Sequence, residues 1–146
     1  MKKYMILNSL KSRIVILVLC FGAVCQWAAG QSFPEKEGER VYYDFSMRRS
    51  DMELSGICIL LCSGDTVKAS IVNNFGATLI DYSYDTKKSK IKLHYVFEKL
   101  NKWYIRRVLK RNLKKIMLAM RSGESSYKDV RHKLSYTFIL NHDIEK

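Results

Sequence analysis

The chain has 146 residues, of which 47% are hydrophobic and 12% aromatic, with one proline and seven glycines. That length holds one domain with its own core and leaves no room for a second, and the composition excludes a disordered tail or linker. Lysines and arginines number 26 against 14 acids, a formal net charge of +12, and four cysteines are too few and too irregularly placed for a disulfide-stapled miniprotein.

Lys2, Lys3, Lys11 and Arg13 precede an apolar run from Ile14 to about Cys25, followed by the small residues Ala28, Ala29 and Gly30. A basic start, an apolar run of about 12 residues and a small-x-small site predict a secretory signal peptide over residues 1–30, cleaved after Gly30. The run falls short of the roughly 20 residues a spanning helix needs. Cys20 follows Leu19 and Cys25 follows Val24, whereas a lipidated cysteine normally follows a small residue. The lysines also fit a positive-inside orientation, so the expectation is export to the periplasm or the periplasmic face of the envelope. Four basic residues and no acidic ones precede Gln31, so the remaining chain stays basic. In that compartment the available anions are lipid head groups and polysaccharides, and nucleic acid is not an expected partner.

Residues 31–40 are polar, contain Pro34 and read as a flexible lead-in to a single β-rich domain over 41–146. Val41, Tyr43, Phe45 and Met47 alternate with Tyr42, Asp44, Ser46 and Arg48, the period of a half-buried strand. A second strand runs from Met52 to Cys62, alternating at first and then apolar on both faces. After the Ser63-Gly64-Asp65 turn, Val67, Ala69 and Ile71 mark a third. The Asn73-Asn74-Phe75-Gly76 turn leads to a fourth over Leu79–Tyr84. Ile91, Leu93 and Tyr95, alternating with Lys90, Lys92 and His94, make the fifth. Short consecutive strands with tight connections predict an antiparallel sheet.

The period then changes to 3.6. Ile105, Val108, Leu109, Leu113, Ile116, Met117 and Met120 recur at helical spacing and predict one long amphipathic helix over about 99–121. A polar loop follows, then a last strand with Leu134, Tyr136, Phe138 and Leu140 on one face. The fold class expected is α+β, mainly antiparallel β, with the helix packed on the sheet.

Between Lys99 and Arg121 there are nine basic residues and no acidic one. Like charges at i,i+4 repel, so this accumulation either solubilises the face or serves an anionic partner, with Arg106, Arg107, Lys110, Arg111, Lys114 and Lys115 as the contact residues. Cys58 and Cys62 are four residues apart on one strand, about 13 Å between Cα atoms, too far for a disulfide across a straight strand. His94, His132 and His142 form no metal-binding motif, and no nucleophile elbow, phosphate loop or dinucleotide fingerprint is present. An enzyme is not expected, and neither a metal nor a cofactor is implied.

Apolar residues on both faces of the second strand exceed what one helix covers. Either the C-terminal strand and lead-in cover the remainder, or the surplus lines a groove for an acyl chain, drawn from Ile57, Ile59, Leu61, Tyr82, Tyr84, Leu93 and Trp103.

The Leu54-Ser55-Gly56-Ile57 segment, the hairpin into Val67–Val72, the Asn73-Asn74-Phe75-Gly76 turn, the Leu79–Tyr84 and Ile91–Val96 strands and the following helix together resemble the outer-membrane lipoprotein receptor/carrier family. Phe75-Gly76, Tyr82-Ser83-Tyr84-Asp85 and Lys102-Trp103-Tyr104-Ile105-Arg106 are similar to small exported proteins of unknown function from Bacteroidetes-type bacteria. The resemblance spans about half the chain and implies a curved, half-barrel antiparallel sheet around helical cover, with an apolar cavity for acyl chains. The expected function is a non-enzymatic envelope protein that binds a lipid, acyl chain or acylated protein between sheet and helix, its basic helix facing anionic head groups at the membrane surface. The alternative is a structural or adaptor protein whose basic helix holds a protein or polysaccharide partner.

Overall fold

The structure, a computed structural model, describes residues 33–145. The expected signal peptide over residues 1–30 and its expected cleavage site lie outside the described residues. Seven strands form one antiparallel sheet: β1 (Arg40–Arg49), β2 (Met52–Ser63), β3 (Thr66–Asn73), β4 (Thr78–Asp85), β5 (Lys90–Val96), β6 (Ser126–Asp129) and β7 (Leu134–Leu140). Their spatial order is β5-β4-β3-β2-β1-β7-β6. The one α-helix among the described residues, α1 (Trp103–Arg121), enters between β5 and β6 in sequence and contacts both of them. These are the two edge strands, so the sheet curves around the helix as a half-barrel.

Alternation decides which side chains meet the helix. Val41, Tyr43, Phe45 and Met47 of β1, Cys58, Leu60 and Cys62 of β2, and Val67, Ala69 and Ile71 of β3 are all buried on the inner face. Leu109, Leu113, Ile116, Met117 and Met120 of α1 close on them. Burial of each such side chain contributes about 1.5–3 kcal/mol. Gly56 serves a different purpose, because a Cβ there would run into the Val72 carbonyl of the paired strand. Asn112 is the one buried polar or charged side chain among the described residues, and its Nδ2 donates to the Tyr136 hydroxyl at 2.8 Å, tying α1 to β7.

Three boundaries differ from the sequence expectation. The helix begins at Trp103; the expected first turn is a short 3-10 turn, Glu98–Leu100, pinned by buried Leu100 and broken at Asn101. The polar stretch before β7 pairs as β6, because Tyr127 stacks on Tyr136 across the hairpin at 6.1 Å. The described part of the expected flexible lead-in is held in place. Phe33 is buried beneath the Arg121 guanidinium, and the Gly38 amide donates to the Cys62 carbonyl at 2.9 Å.

Candidate functional site

The middle of the interior between α1 and the sheet is tightly packed. Among Phe45, Ile71, Leu113 and Tyr136 a void of only about 10 Å³ remains, no more than one water needs. Tyr82 and Tyr84, expected to line a groove, are instead core side chains, and the Tyr82 hydroxyl donates to the Met117 Sδ at 3.4 Å. Leu93 packs half-buried against the same core. Trp103 stands apart, largely exposed at the start of α1. Tyr82 and Tyr84 are therefore corrected from groove lining to core, and the opening that remains between sheet and helix is a groove of about 330 Å³ at Met47, Leu100, Tyr104 and Leu109, away from them.

Ile57, Ile59 and Leu61 point the other way. They are half-buried on the outer sheet face, opposite α1. Around Ile59 and Leu61 this face carries an open groove of about 640 Å³. Strand register builds it: Arg40, Leu61, Lys68, Ser83 and Lys92 follow one another across five strands, and the next row holds Tyr42, Ile59, Ser70 and Asp81. The result is an apolar floor with Arg40, Lys68 and Lys92 at its rim. Asp81 is the acid in this set, and it accepts from the Ser70 hydroxyl at 2.6 Å.

Ser83 Oγ lies 2.9 Å from His94 Nε2 in the same groove. A hydroxyl beside an imidazole is the start of a nucleophilic pair. However, β4 is paired on both sides, so its amides are committed to the ladder and supply no oxyanion hole. His94 owes its position to a bulge: β4 and β5 pair Asp81 with Tyr95 and then Tyr82 with Leu93, leaving His94 as the extra residue. The bulge also turns Tyr95 outward and Val96 inward, against the simple alternation expected for β5.

The basic helix divides. Arg107, Lys110, Arg111 and Lys114 line a cleft of about 450 Å³ together with Ser89, Lys90 and Ile91 from the start of β5. Arg106 donates instead to Asn101 Oδ1 at 2.8 Å, and Lys115 is exposed outside the cleft. No carboxylate lines the cleft. Among the described residues the ion pairs are Arg48–Glu53, Lys87–Asp65 and His132–Asp129, all elsewhere. Lys90 was legible only as part of an edge strand; its place opposite the helix required the tertiary fold.

Cys58 and Cys62 are both free and buried on the inner face. Burial pushes the Cys58 thiol up to about 12, against a lowering hydrogen bond with Tyr82. The Cys62 thiol is raised by burial and by the Glu37, Glu39 and Asp65 carboxylates near it. Neither is disposed to form a nucleophilic thiolate. Among the described residues no group of His, Cys, Asp or Glu side chains could hold a metal ion, and no helix is long and apolar enough to cross a membrane. Comparisons with protein-family models, with curated proteins and with solved structures find no match to this chain.

Proposed function

We propose that this is an exported, non-enzymatic envelope protein that binds a lipid, an acyl chain or an acylated protein, with the anionic head group held by basic side chains. The observation that carries the reading is the outer-face groove, an apolar floor of Ile59 and Leu61 rimmed by Arg40, Lys68 and Lys92. An alkyl chain laid on that floor gains about 0.8 kcal/mol per buried methylene, and the rim cations complement a phosphate or carboxylate. The half-barrel agrees with the fold implied by the resemblance to lipoprotein carriers, while the groove differs from theirs in lying outside the sheet.

Ser32–Lys146 forms one compact unit, so a chain starting at Gln31 contains the whole sheet, helix and core. Native mass spectrometry of that chain, incubated with phospholipids and fatty acids, is expected to show a discrete lipid adduct. The Lys68→Glu/Lys92→Glu variant is expected to lose it. A bare protein mass under all conditions would overturn the reading.

The burial of Tyr82 and Tyr84 in the core favours a second reading, in which the Lys90, Arg107, Lys110, Arg111 and Lys114 cleft holds an anionic polysaccharide or protein partner in a structural role. Retention on an anionic polysaccharide column, lost in Lys110→Glu/Lys114→Glu and coupled with no lipid adduct, would select it.

A further inference from the structure

The alternating strand directions send three hairpin turns to one end of the sheet: 50–51 between β1 and β2, 74–77 between β3 and β4, and 130–133 between β6 and β7. The first turn of α1 starts at the same end, because β5 delivers the chain there. Of the nine exposed large hydrophobic side chains among the described residues, Phe75, Trp103, Tyr104 and Val130 belong to these segments, and Met52, the first residue of β2, adjoins the 50–51 turn. Phe75 is 95% exposed, and Trp103 and Val130 are each 76% exposed. The opposite end is unlike it. Its hairpin turns, Gly64-Asp65 and Thr86-Lys87-Lys88-Ser89, contain no apolar side chain.

A soluble domain gains nothing by placing phenylalanine and valine at turn tips and an exposed tryptophan at a helix start of the same end, where polar residues serve equally well. The tips are separated by two strand spacings, on the order of 10 Å apart, so they form a row of separate prongs and not a single pocket. Exposed cations stand beside two of these clusters, Lys99 and Lys102 by Trp103 and Tyr104, and Arg131 and Lys133 by Val130; Met52 has Arg49 near it but is flanked by Asp51 and by Glu53, which pairs with Arg48, and the Phe75 turn carries no charge. Trp103 and Tyr104 stack edge to face at 5.8 Å. An apolar groove of about 330 Å³, lined by Met52, Leu100, Tyr104, Ile105 and Val108, opens within the same end.

The geometry points to this end of the molecule as a docking surface for an anionic lipid bilayer, with Phe75, Trp103, Tyr104, Val130 and Met52 entering the interface. Tryptophan and tyrosine sit at the head-group level, where an apolar ring and a polar edge are both accommodated. Phenylalanine, valine and methionine reach past it, while the flanking lysines and arginines meet lipid phosphates. A protein partner is the poorer occupant, because protein interfaces gather their apolar residues centrally and exclude lysine, whereas here exposed lysines and arginines flank Trp103, Tyr104 and Val130. The surface lies apart from the outer-face groove, so docking goes beyond ligand binding and is tested separately from it.

In the chain from Gln31, Trp103 is the only tryptophan, so its emission reports directly on this end. With vesicles of phosphatidylglycerol and phosphatidylcholine, the emission is expected to move to shorter wavelength and to be quenched by brominated acyl chains. The Phe75→Ser/Val130→Ser variant removes only exposed side chains, and its circular dichroism is expected to match the parent. Its vesicle partition is expected to fall about tenfold or more, following the apolar area lost, while any lipid adduct in the outer groove persists. Absence of quenching, or equal partition of parent and variant, would overturn the proposal. So would vesicle binding that survives Phe75→Ser/Val130→Ser but is lost in Lys110→Glu/Lys114→Glu, since that would place the membrane at the cationic cleft. Self-association abolished by Phe75→Ser/Val130→Ser, without vesicle binding, would assign the end to a second copy of the chain and equally overturn it.

Discussion

Along β2, Cys58, Leu60 and Cys62 face α1 and are 4% exposed or less, while Ile57, Ile59 and Leu61, one residue out of step, lie half-buried on the face that the helix does not cover. The outward set is no less hydrophobic than the inward one. What separates them is the partner: Cys58 and Leu60 join one core with the apolar side chains of α1, and only a groove lies over the second set. Hydrophobicity in a strand therefore marks a side chain as able to be buried, and the element packed against it decides whether it becomes core or a binding surface.

The inner face should be the more fragile by several kcal/mol. Leu113→Ala is expected to cost about 3–5 kcal/mol in urea unfolding, because the packed interior offers no room to collapse into the cavity. A loss under 1 kcal/mol would show that the helix is loosely held. Asn112→Ala is expected to cost less, about 1–3 kcal/mol, by leaving the buried Tyr136 hydroxyl without its partner. Tyr136→Phe should recover part of that loss in the double variant, which a double-mutant cycle would read.

The outer face should behave in the opposite way. Ile59→Ser is expected to change stability by about 1 kcal/mol or less while reducing the population of lipid adduct in native mass spectra. A large stability loss with no change in adducts would mean that the outer face is structural. The smallest effect concerns the β6–β7 hairpin. Burial alone would raise the Asp129 carboxyl, but hydrogen bonds from His132 and Asn112 outweigh it and hold the group below its ordinary value of 3.8. A depressed carboxyl stabilises the fold above the unfolded value and loses that contribution as pH falls through the folded one. Asp129→Asn is therefore expected to flatten the acid limb of the stability profile below about pH 4, with little change in its shape at higher pH.

Most of the strands were readable because each buries one face, and a one-sided strand writes its period into the sequence. Val41, Tyr43, Phe45 and Met47 show this plainly, as do Leu134, Tyr136 and Phe138. β6 escaped notice because four residues with one aromatic carry no period, and its pairing depends on Tyr127 finding Tyr136. The bulge at His94 escaped for a related reason: a single extra residue changes the face of Tyr95 without changing the composition of β5. The candidate site was legible in its ingredients and misassembled in its arrangement. The surplus apolar residues and the acid-free basic run were visible, yet Tyr82 and Tyr84 were assigned to a groove that their own rings fill.

The amino-acid order alone determined the class of the fold, the antiparallel succession of strands and the amphipathic helix α1, because those follow from local periodicity and turn chemistry. The tertiary structure decided which sheet face α1 would cover, that Lys90 would face Arg107 and Lys114, and that Phe75, Trp103 and Val130 would share one end. Those outcomes depend on which strands become neighbours and which way each one runs, and contacts between residues far apart in the chain leave no period to read.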